Sequence, residues 1–250
     1  MSGACQLAIL YGFHAVSARV KTAPASVEEV LVDQHRKDKR MQQFIDKVKA
    51  AGVKVSAADS DRLEKAAGHK QHQGVVAFAK ELVKSNDLFE IIDTHGKNTL
   101  LLVLDGVTDP HNLGACLRSA DAAGVHAVVL PKDKSVGITP VVSKVACGAA
   151  ETIPVITVTN LARTLEEIQE AGVWCIGTAG EATDTLYDAD LNGPIAWVLG
   201  AEGDGMRRLT REKCDQLVQI PMIGSVESLN VSVASSVCLF ETLRQRQFSK

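Results

Sequence analysis

Three short segments of the sequence combine glycines and small polar side chains with isolated charged residues, and each follows a run of apolar residues. They are "NLGACLR" at residues 112–118, "LGAEGDGM" at 199–206 and "IPMIGSVESLNVSVA" at 220–234. In a parallel α/β sheet, ligands bind beyond the carboxyl ends of the strands. The three segments therefore predict a ligand site at one edge of such a sheet.

The first segment is predicted to open a helix, with Asn112 as its N-cap because asparagine is favoured at that position. Arg118 interrupts the small and apolar character of this helix. Helical side chains lean toward the N-terminus, so the guanidinium can lie back toward Asn112 and the strand ends. An exposed helix arginine without any further role would show the same pattern.

The second segment places Gly200, Gly203 and Gly205 directly after a predicted strand. Glycines in such numbers let a ligand approach the backbone closely. Their GxxGxG spacing fits neither the dinucleotide-binding fingerprint nor the phosphate-binding P-loop. Glu202 could act on a ligand, or it could be an exposed residue of a tight turn.

The third segment lies between a predicted strand and the last predicted helix. Ser228 and Asn230 can each cap that helix, which would be a sufficient structural role for either residue. A cap does not explain the additional small residues Gly224 and Ser225. Their size leaves room for a bound molecule, so we interpret the segment as part of a pocket.

The sequence shows no metal-ligand cluster and no Ser/His/Asp or Cys/His set typical of nucleophilic catalysis. The three segments instead offer Arg, Glu, Asn and Ser beside glycine-rich backbone. This combination predicts a cofactor pocket formed mainly by backbone, with a few polar groups that face a second substrate.

The elements that must position these segments follow from the hydrophobic pattern. Residues 8–80 alternate predicted helices and strands, residues 81–97 read as a linker with possible helical turns, and a second alternation begins at residue 98. The apolar runs of the second part are nearly continuous, as in strands covered on both faces. We therefore predict an α/β protein with a mostly parallel sheet between helices, preceded by a smaller α/β domain.

Composition restricts the class of protein further. The chain is 46% hydrophobic and 23% charged, and no apolar run approaches the roughly 20 residues of a membrane span. We read no signal peptide at its start, and six scattered cysteines favour a reducing cytoplasm.

Charge is unevenly distributed between the two parts of the chain. Residues 1–80 carry 13 Lys and Arg against 8 Asp and Glu, whereas residues 98–250 carry 12 Lys and Arg against 18 Asp and Glu. A basic first domain suits nucleic-acid binding, although solvated helix faces could produce the same bias.

Together, the three ordered motifs resemble those of the SpoU-type 2′-O-ribose RNA methyltransferases, a branch of the SPOUT superfamily. The similarity spans the whole chain and is greatest to members that act on a guanosine of 23S rRNA, especially in "DGVTDPHNLGACLRSADAAGVHAV" and "GAEGDGMRRLTRE". The resemblance implies a trefoil knot in residues 98–250, a homodimer, S-adenosylmethionine as cofactor and 23S rRNA as partner. It also implies that residues 1–80 form an L30e/L7Ae-like domain that binds the RNA substrate.

The resemblance assigns roles to residues at the motif positions. The cofactor would contact Gly200, Ile220 and Leu229 mainly through main-chain groups, with Thr178, Ala179 and Met222 nearby. The reacting side would consist of these residues: Asn112, Arg118, Glu202, Ser228 and Asn230.

Two roles for the arginine are consistent with the sequence. The family proposal makes Arg118 the base that takes the proton of the ribose 2′-hydroxyl. Arginine stays ionised in proteins, and removing its proton near pH 7 costs about 7 kcal/mol. Arg118 could instead orient the ribose and an adjacent phosphate through bidentate hydrogen bonds.

Other functions fit the sequence less well. A dinucleotide oxidoreductase would need a GxGxxG turn at the first strand–helix junction, and "LDGVTDPHNLG" does not supply one. A non-catalytic RNA-binding protein would not require the combination of Asn112, Arg118, Glu202 and Asn230. A methyltransferase of tRNA or of another rRNA site shares all three motifs and remains the alternative.

Overall fold

A computed structural model describes residues 7–80, 87–201, 203 and 205–248. In the first part of the chain the elements are β1 (Leu7–Tyr11), α1 (Phe13–Thr22), β2 (Val27–Asp33), α2 (Lys39–Ala50), β3 (Val55–Ala58), α3 (Ser60–Ala67) and β4 (Val75–Lys80). They continue with α4 (Leu88–His95), β5 (Leu100–Asp105), α5 (Pro110–Ala123), β6 (Ala127–Pro131), α6 (Pro140–Val145), α7 (Ala149–Thr152), β7 (Val155–Val158) and α8 (Leu161–Glu170). The last are β8 (Trp174–Thr178), β9 (Asp184–Thr185), β10 (Ile195–Gly200), α9 (Arg208–Glu212), β11 (Gln216–Gln219) and α10 (Val231–Phe248). No helix in the described part of the chain is both long and apolar enough to cross a membrane.

The chain divides into two compact units, Met1–Lys84 with Cys147–Thr152, and Ser85–Ala146 with Ile153–Lys250. The first unit has a four-stranded mixed sheet in the order β1-β4-β2-β3. The buried Arg19 of α1 explains why α7 belongs to this unit, because it donates hydrogen bonds to the Lys80 carbonyl at 3.0 Å and to the Glu151 carboxylate at 2.8 Å. Strand β1 was not predicted, since only Gly12, at φ 82°, separates its largely apolar residues from the start of α1.

The second unit has a seven-stranded sheet in the order β7-β6-β5-β10-β8-β11-β9, and every adjacent pair in it is parallel. Strands β5, β6 and β10 are buried along almost their whole length, which confirms the prediction of a parallel sheet covered on both faces. The trefoil knot stays an expectation drawn from the resemblance.

Helix α4 lies inside the stretch predicted as a linker, residues 81–97. Its residues Leu88, Ile91 and Ile92 are buried in the hydrophobic core of the second unit. Their spacing is helical, but the polar residues around them obscured the apolar pattern that would have predicted the helix. The predicted domains 1–80 and 98–250 stay a prediction, and the second compact unit extends beyond the latter by including this helix.

The predicted N-cap of α5 is wrong. The helix begins three residues earlier than predicted, at Pro110, and its cap is Asp109, whose Oδ1 accepts a hydrogen bond from the His111 N–H at 2.9 Å. Proline is favoured at the first helical position, because its missing N–H would have no partner in the helix there. Asn112 therefore lies within the first turn of α5, and its side chain can make contacts other than a cap.

A histidine next to the sheet makes the stability of the second unit depend on pH. His126 Nδ1 accepts a hydrogen bond from the Leu100 N–H at 3.0 Å, and its ring stacks on His95 with centroids 3.6 Å apart. Burial, with the nearby His95 and Arg246, lowers the pKa of His126 from 6.5 to about 4. The unfolded chain thus binds a proton at this residue between pH 6.5 and 4 while the folded chain resists it, so stability falls as pH falls through that range.

We expect His126→Asn to reduce this pH dependence, because asparagine keeps an acceptor for the Leu100 N–H but does not titrate. Between pH 6.5 and 4, the wild type should lose about 1–2 kcal/mol more unfolding free energy than the variant, allowing for solvent screening of the ring. Urea denaturation across that pH range measures the difference. The exposed His14 provides the control as His14→Asn, and equal pH profiles for all three proteins would contradict the expectation.

Candidate functional site

The carboxyl ends of three neighbouring strands, β10, β8 and β11, open into loops that enclose one cavity of about 820 Å³. Because the strands are parallel and adjacent, these ends lie at the same edge of the sheet. All six residues predicted to contact the cofactor line this cavity, namely Thr178, Ala179, Gly200, Ile220, Met222 and Leu229. Three sequence segments, each about 20 residues from the next, are thus brought together by the strand order.

Gly200 at the end of β10 is required by a close approach of backbone. A Cβ atom at this position would lie 2.0 Å from the Gly205 carbonyl carbon and 2.1 Å from the Met206 nitrogen. Ala201 and Gly205 exchange two backbone hydrogen bonds of 3.1 Å, and these close the loop. Gly205 has φ 67°, a conformation that side chains other than glycine rarely adopt. The glycines therefore fold the backbone back on itself beside the cavity.

A buried carboxylate holds the far end of this loop. Asp105, at the end of β5, is 1% exposed and accepts hydrogen bonds from the Arg207 backbone N–H at 2.9 Å and from the Arg207 Nε at 2.6 Å. A second guanidinium nitrogen lies 2.5 Å from the same carboxylate. A buried carboxylate is costly unless it is paired and hydrogen-bonded, so this contact fixes residue 207 against the neighbouring strand.

The segment from Ile220 to Leu229 contains no helix or strand. Gly224, Ser225 and Ser228 are exposed and line the cavity, so they are not packed in a core. These small residues therefore border open space, and their contact with a ligand stays a prediction. Ser228, predicted on the reacting side, is placed beside the predicted cofactor contacts Ile220 and Leu229.

Asn230 and Asn112 are brought together where α10 and α5 begin. The Asn230 Nδ2 donates to the Asn112 Oδ1 at 3.0 Å, and the Asn230 Oδ1 accepts from the Ser232 N–H at 2.9 Å. Asn230 therefore caps α10, as predicted, and also fixes Asn112. Farther along, Ser119 and Ser236 form a hydrogen bond of 2.7 Å between the same helices.

Arg118 is not brought into direct contact with the other predicted reacting residues. It is exposed on α5 and makes no hydrogen bond or ion pair within the described residues. It lies about 9 Å along the helix axis from Asn112, given a rise of about 1.5 Å per residue. Glu202, the remaining predicted reacting residue, lies outside the described residues. The guanidinium is accessible to a large second substrate.

Sequence reasoning missed four charged residues of this site, Asp105, Arg207, Glu181 and Arg211. A charged residue at the end of the buried run "LLLVLD" was a signal for Asp105, because carboxylates are seldom buried without a partner. The sequence "GMRRLTRE" does not indicate which of the adjacent residues Arg207 and Arg208 pairs with the buried carboxylate.

In the described part of the chain, no group of three or more His, Cys, Asp or Glu is placed to hold a metal ion.

Comparison with known proteins identifies the family of the chain. The family model of the SpoU rRNA methylases matches residues 99–240, which include all three motifs. The chain belongs to the SpoU rRNA Methylase family. A second model, for the substrate-binding domain of RNA 2′-O ribose methyltransferases, matches residues 9–83.

Individual SpoU relatives match nearly the full length of the chain. It is 63% identical over 238 residues to the 23S rRNA (guanosine-2′-O-)-methyltransferase RlmB of Ralstonia nicotianae, covering 95% of this chain and 96% of that protein. A crystal structure of an RNA 2′-O ribose methyltransferase superposes with TM-score 0.75 at 27% identity, covering 97% and 90% of the two chains. The SpoU methyltransferase AviRb of Streptomyces viridochromogenes, in complex with AdoMet, gives 0.73 at 25% identity, covering 96% and 90%.

The close approach at Gly200 generates a prediction for this SpoU protein. Gly200→Ala should destabilise the second unit by at least about 2 kcal/mol, because the added methyl group meets backbone and the loop must shift. Urea denaturation measures the loss. Gly180→Ala is the matched control, since Gly180 lines the same cavity but a Cβ there meets nothing within 4 Å. Equal stability of the two variants would refute the requirement for glycine at position 200.

Proposed function

We propose that this protein transfers a methyl group from S-adenosylmethionine to the ribose 2′-hydroxyl of a guanosine in 23S rRNA. The observation that carries the proposal is the 63% identity to a 23S rRNA guanosine-2′-O-methyltransferase over 95% of the chain. The cavity at the sheet edge, next to the polar side chains of α5 and α10, supports it independently.

The residues around the cavity fit S-adenosylmethionine. A volume of about 820 Å³ is within the range of small-molecule sites. Gly200, Ile220 and Leu229 would hold the cofactor through main-chain groups, and Thr178, Ala179 and Met222 would lie beside it. Bound there, the cofactor supplies a methyl group on a sulfonium, which is a good leaving group. The remaining task of the protein is to place the ribose oxygen in line with that methyl group.

The reacting residues of our proposal are Asn112, Arg118, Glu202, Ser228 and Asn230. The contact between Asn112 and Asn230 supports a joint role in orienting the ribose. Arg118 is exposed and makes no hydrogen bond or ion pair within the described residues, so its five N–H donors are available to the substrate. We assign it to bidentate hydrogen bonds with the ribose and an adjacent phosphate, while the hydroxyl proton would pass to a solvent water molecule as the carbon–oxygen bond forms.

The first unit is proposed to bind the RNA, and the second to carry out methyl transfer. The match of residues 9–83 to a substrate-binding family supports this division, as does the excess of five positive charges in residues 1–80. Phosphate contacts from Lys and Arg give affinity that falls with salt concentration.

We also propose that the protein is a homodimer through α10. Val233, Val237 and Phe240 follow helical spacing along one side of this helix, and Val233 and Phe240 are 48% and 47% exposed. An exposed apolar stripe on a helix that otherwise packs in the core is typical of an interface between subunits.

The assigned function is tested by methyl transfer from labelled S-adenosylmethionine to rRNA and tRNA from a strain that lacks this gene, followed by mapping of the modified nucleotide. We expect one 2′-O-methylated guanosine in 23S rRNA. Methylation of tRNA alone would replace the proposed substrate with that of the alternative. No methylation of either RNA would contradict the proposed activity.

Variants of Arg118 test its role in the reaction. Arg118→Lys keeps the positive charge but loses the planar fork, so we expect turnover to fall at least about a hundredfold, with unchanged cofactor affinity. Arg163→Lys is the matched control, because Arg163 is an exposed helix arginine that pairs with Glu167 on α8. Near-normal turnover of Arg118→Lys would show that a positive charge alone suffices, and near-normal turnover of Arg118→Ala would remove the residue from the site.

Light scattering tests the proposed dimer. The wild type should have twice the 26.7 kDa mass of one chain at micromolar concentration. Phe240→Glu should shift it toward monomer, because a carboxylate would be buried in the interface. Tyr187→Glu, at an exposed residue outside α10, is the control. A monomeric wild type would contradict the proposal.

A further inference from the structure

The charged side chains around the cavity are few and unevenly placed. Within the described lining residues the charged side chains are Glu181, Arg211 and Glu227, and Arg211 is the single cation among them. Its Nη1 donates to the Glu181 carboxylate, so the two side chains form an ion pair at the cavity wall. Both are partly exposed, at 42% for Arg211 and 59% for Glu181. The pair can therefore exchange partners with a ligand that enters the cavity.

Both members of the pair extend from anchored backbone. Glu181 lies in the turn after β8, where the Ala179 N–H donates to the Val218 carbonyl at 3.0 Å and Gln219 Nε2 donates to the Ala182 carbonyl at 2.8 Å. Arg211 lies on α9, which directly follows the residue that Asp105 holds. The paired charges are thus held side by side at the wall of the cavity that the predicted cofactor contacts line.

The tail of S-adenosylmethionine carries one carboxylate and one ammonium group. A carboxylate in a cavity needs hydrogen-bond donors, and a guanidinium matches its geometry with two parallel bonds. An ammonium group correspondingly needs an acceptor, and ionised carboxylates serve best. A hydrogen bond from its own backbone N–H, together with Arg211, lowers the pKa of Glu181, which keeps the side chain ionised near neutral pH.

We propose that Arg211 and Glu181 form the subsite for the aminocarboxylate tail of the cofactor, with Arg211 on the carboxylate and Glu181 on the ammonium group. The proposal rests on the assignment of this cavity to S-adenosylmethionine. On binding, each side chain exchanges its contact with the other for the opposite charge of the ligand, so neither charge loses a partner. The subsite would select ligands with a complete amino-acid tail.

Truncated ligands separate this subsite from the rest of the cavity. Decarboxylated S-adenosylmethionine lacks the carboxylate, and 5′-methylthioadenosine lacks the whole amino-acid tail but keeps the adenosine. Calorimetry on the full-length protein should show that the wild type binds S-adenosylmethionine at least about tenfold more tightly than the decarboxylated form, since hydrogen bonds to charged groups are worth about 1.5–3 kcal/mol.

Arg211→Gln should abolish that preference. We expect S-adenosylmethionine to bind about ten- to a hundredfold more weakly to the variant, and its affinity to approach that of the decarboxylated form. Binding of 5′-methylthioadenosine should stay within about twofold of wild type, because this ligand does not reach the subsite. Arg208→Gln is the matched control, since Arg208 pairs with Glu212 on the same helix but does not line the cavity.

Glu181→Gln tests the other half of the subsite with a ligand that lacks the α-amino group. The wild type should prefer S-adenosylmethionine to this analogue, and Glu181→Gln should lose the preference. Glu227→Gln is the control within the cavity, because Glu227 lines it without pairing to Arg211. Loss of the preference in Glu227→Gln alone would overturn the role of Glu181.

Two results would overturn the role of Arg211. If Arg211→Gln weakened S-adenosylmethionine and 5′-methylthioadenosine equally, the ion pair would shape the cavity and not recognise the tail. If the variant bound both as the wild type does, Arg211 would make no contact with the cofactor. Failure of the proposed function looks different, since the wild-type protein would then bind neither S-adenosylmethionine nor 5′-methylthioadenosine.

Discussion

The contact between the buried Asp105 carboxylate and Arg207 holds the candidate site in shape. It joins the end of β5 to Arg207, just after the loop that Ala201 and Gly205 close. The backbone at Gly205 and Met206 in turn lies directly against Gly200. Both ends of the loop are therefore fixed on adjacent strands, β10 and β5, that pair in parallel register up to Gly200 and Asp105. Because the carboxylate is fully buried, loss of the guanidinium would leave an uncompensated charge at the sheet edge.

The strand order extends this local constraint to the whole site. With β10 between β5 and β8, and β11 beside β8, the loops after these strands surround one cavity. The hydrogen bonds between α5 and α10 then place Asn112 and Asn230 at the start of both helices. In the proposed function, this arrangement would place the cofactor pocket next to the polar side chains that face the RNA.

Much of the fold and the cavity could be predicted from the sequence, because their signals are local. Continuous apolar runs indicate buried parallel strands, and all six proposed cofactor residues line the cavity. The N-cap of α5 could not be assigned with the same success, since Asp109 and Asn112 are both good caps and only the backbone geometry selects Asp109. The pairings of Asp105 with Arg207 and of Glu181 with Arg211 join residues 102 and 30 positions apart, and no periodic pattern in one sequence reveals such contacts.

The central claim is that the loop held by Asp105 forms one wall of the cofactor pocket, and a crystal structure with bound S-adenosylhomocysteine tests it most directly. We expect the ligand in the cavity, in contact with the backbone of Gly200, Ile220 and Leu229, while Arg207 keeps its hydrogen bonds to Asp105. A ligand bound elsewhere on the protein, or a loop that has moved away from Gly200 with Arg207 detached from Asp105, would contradict the account.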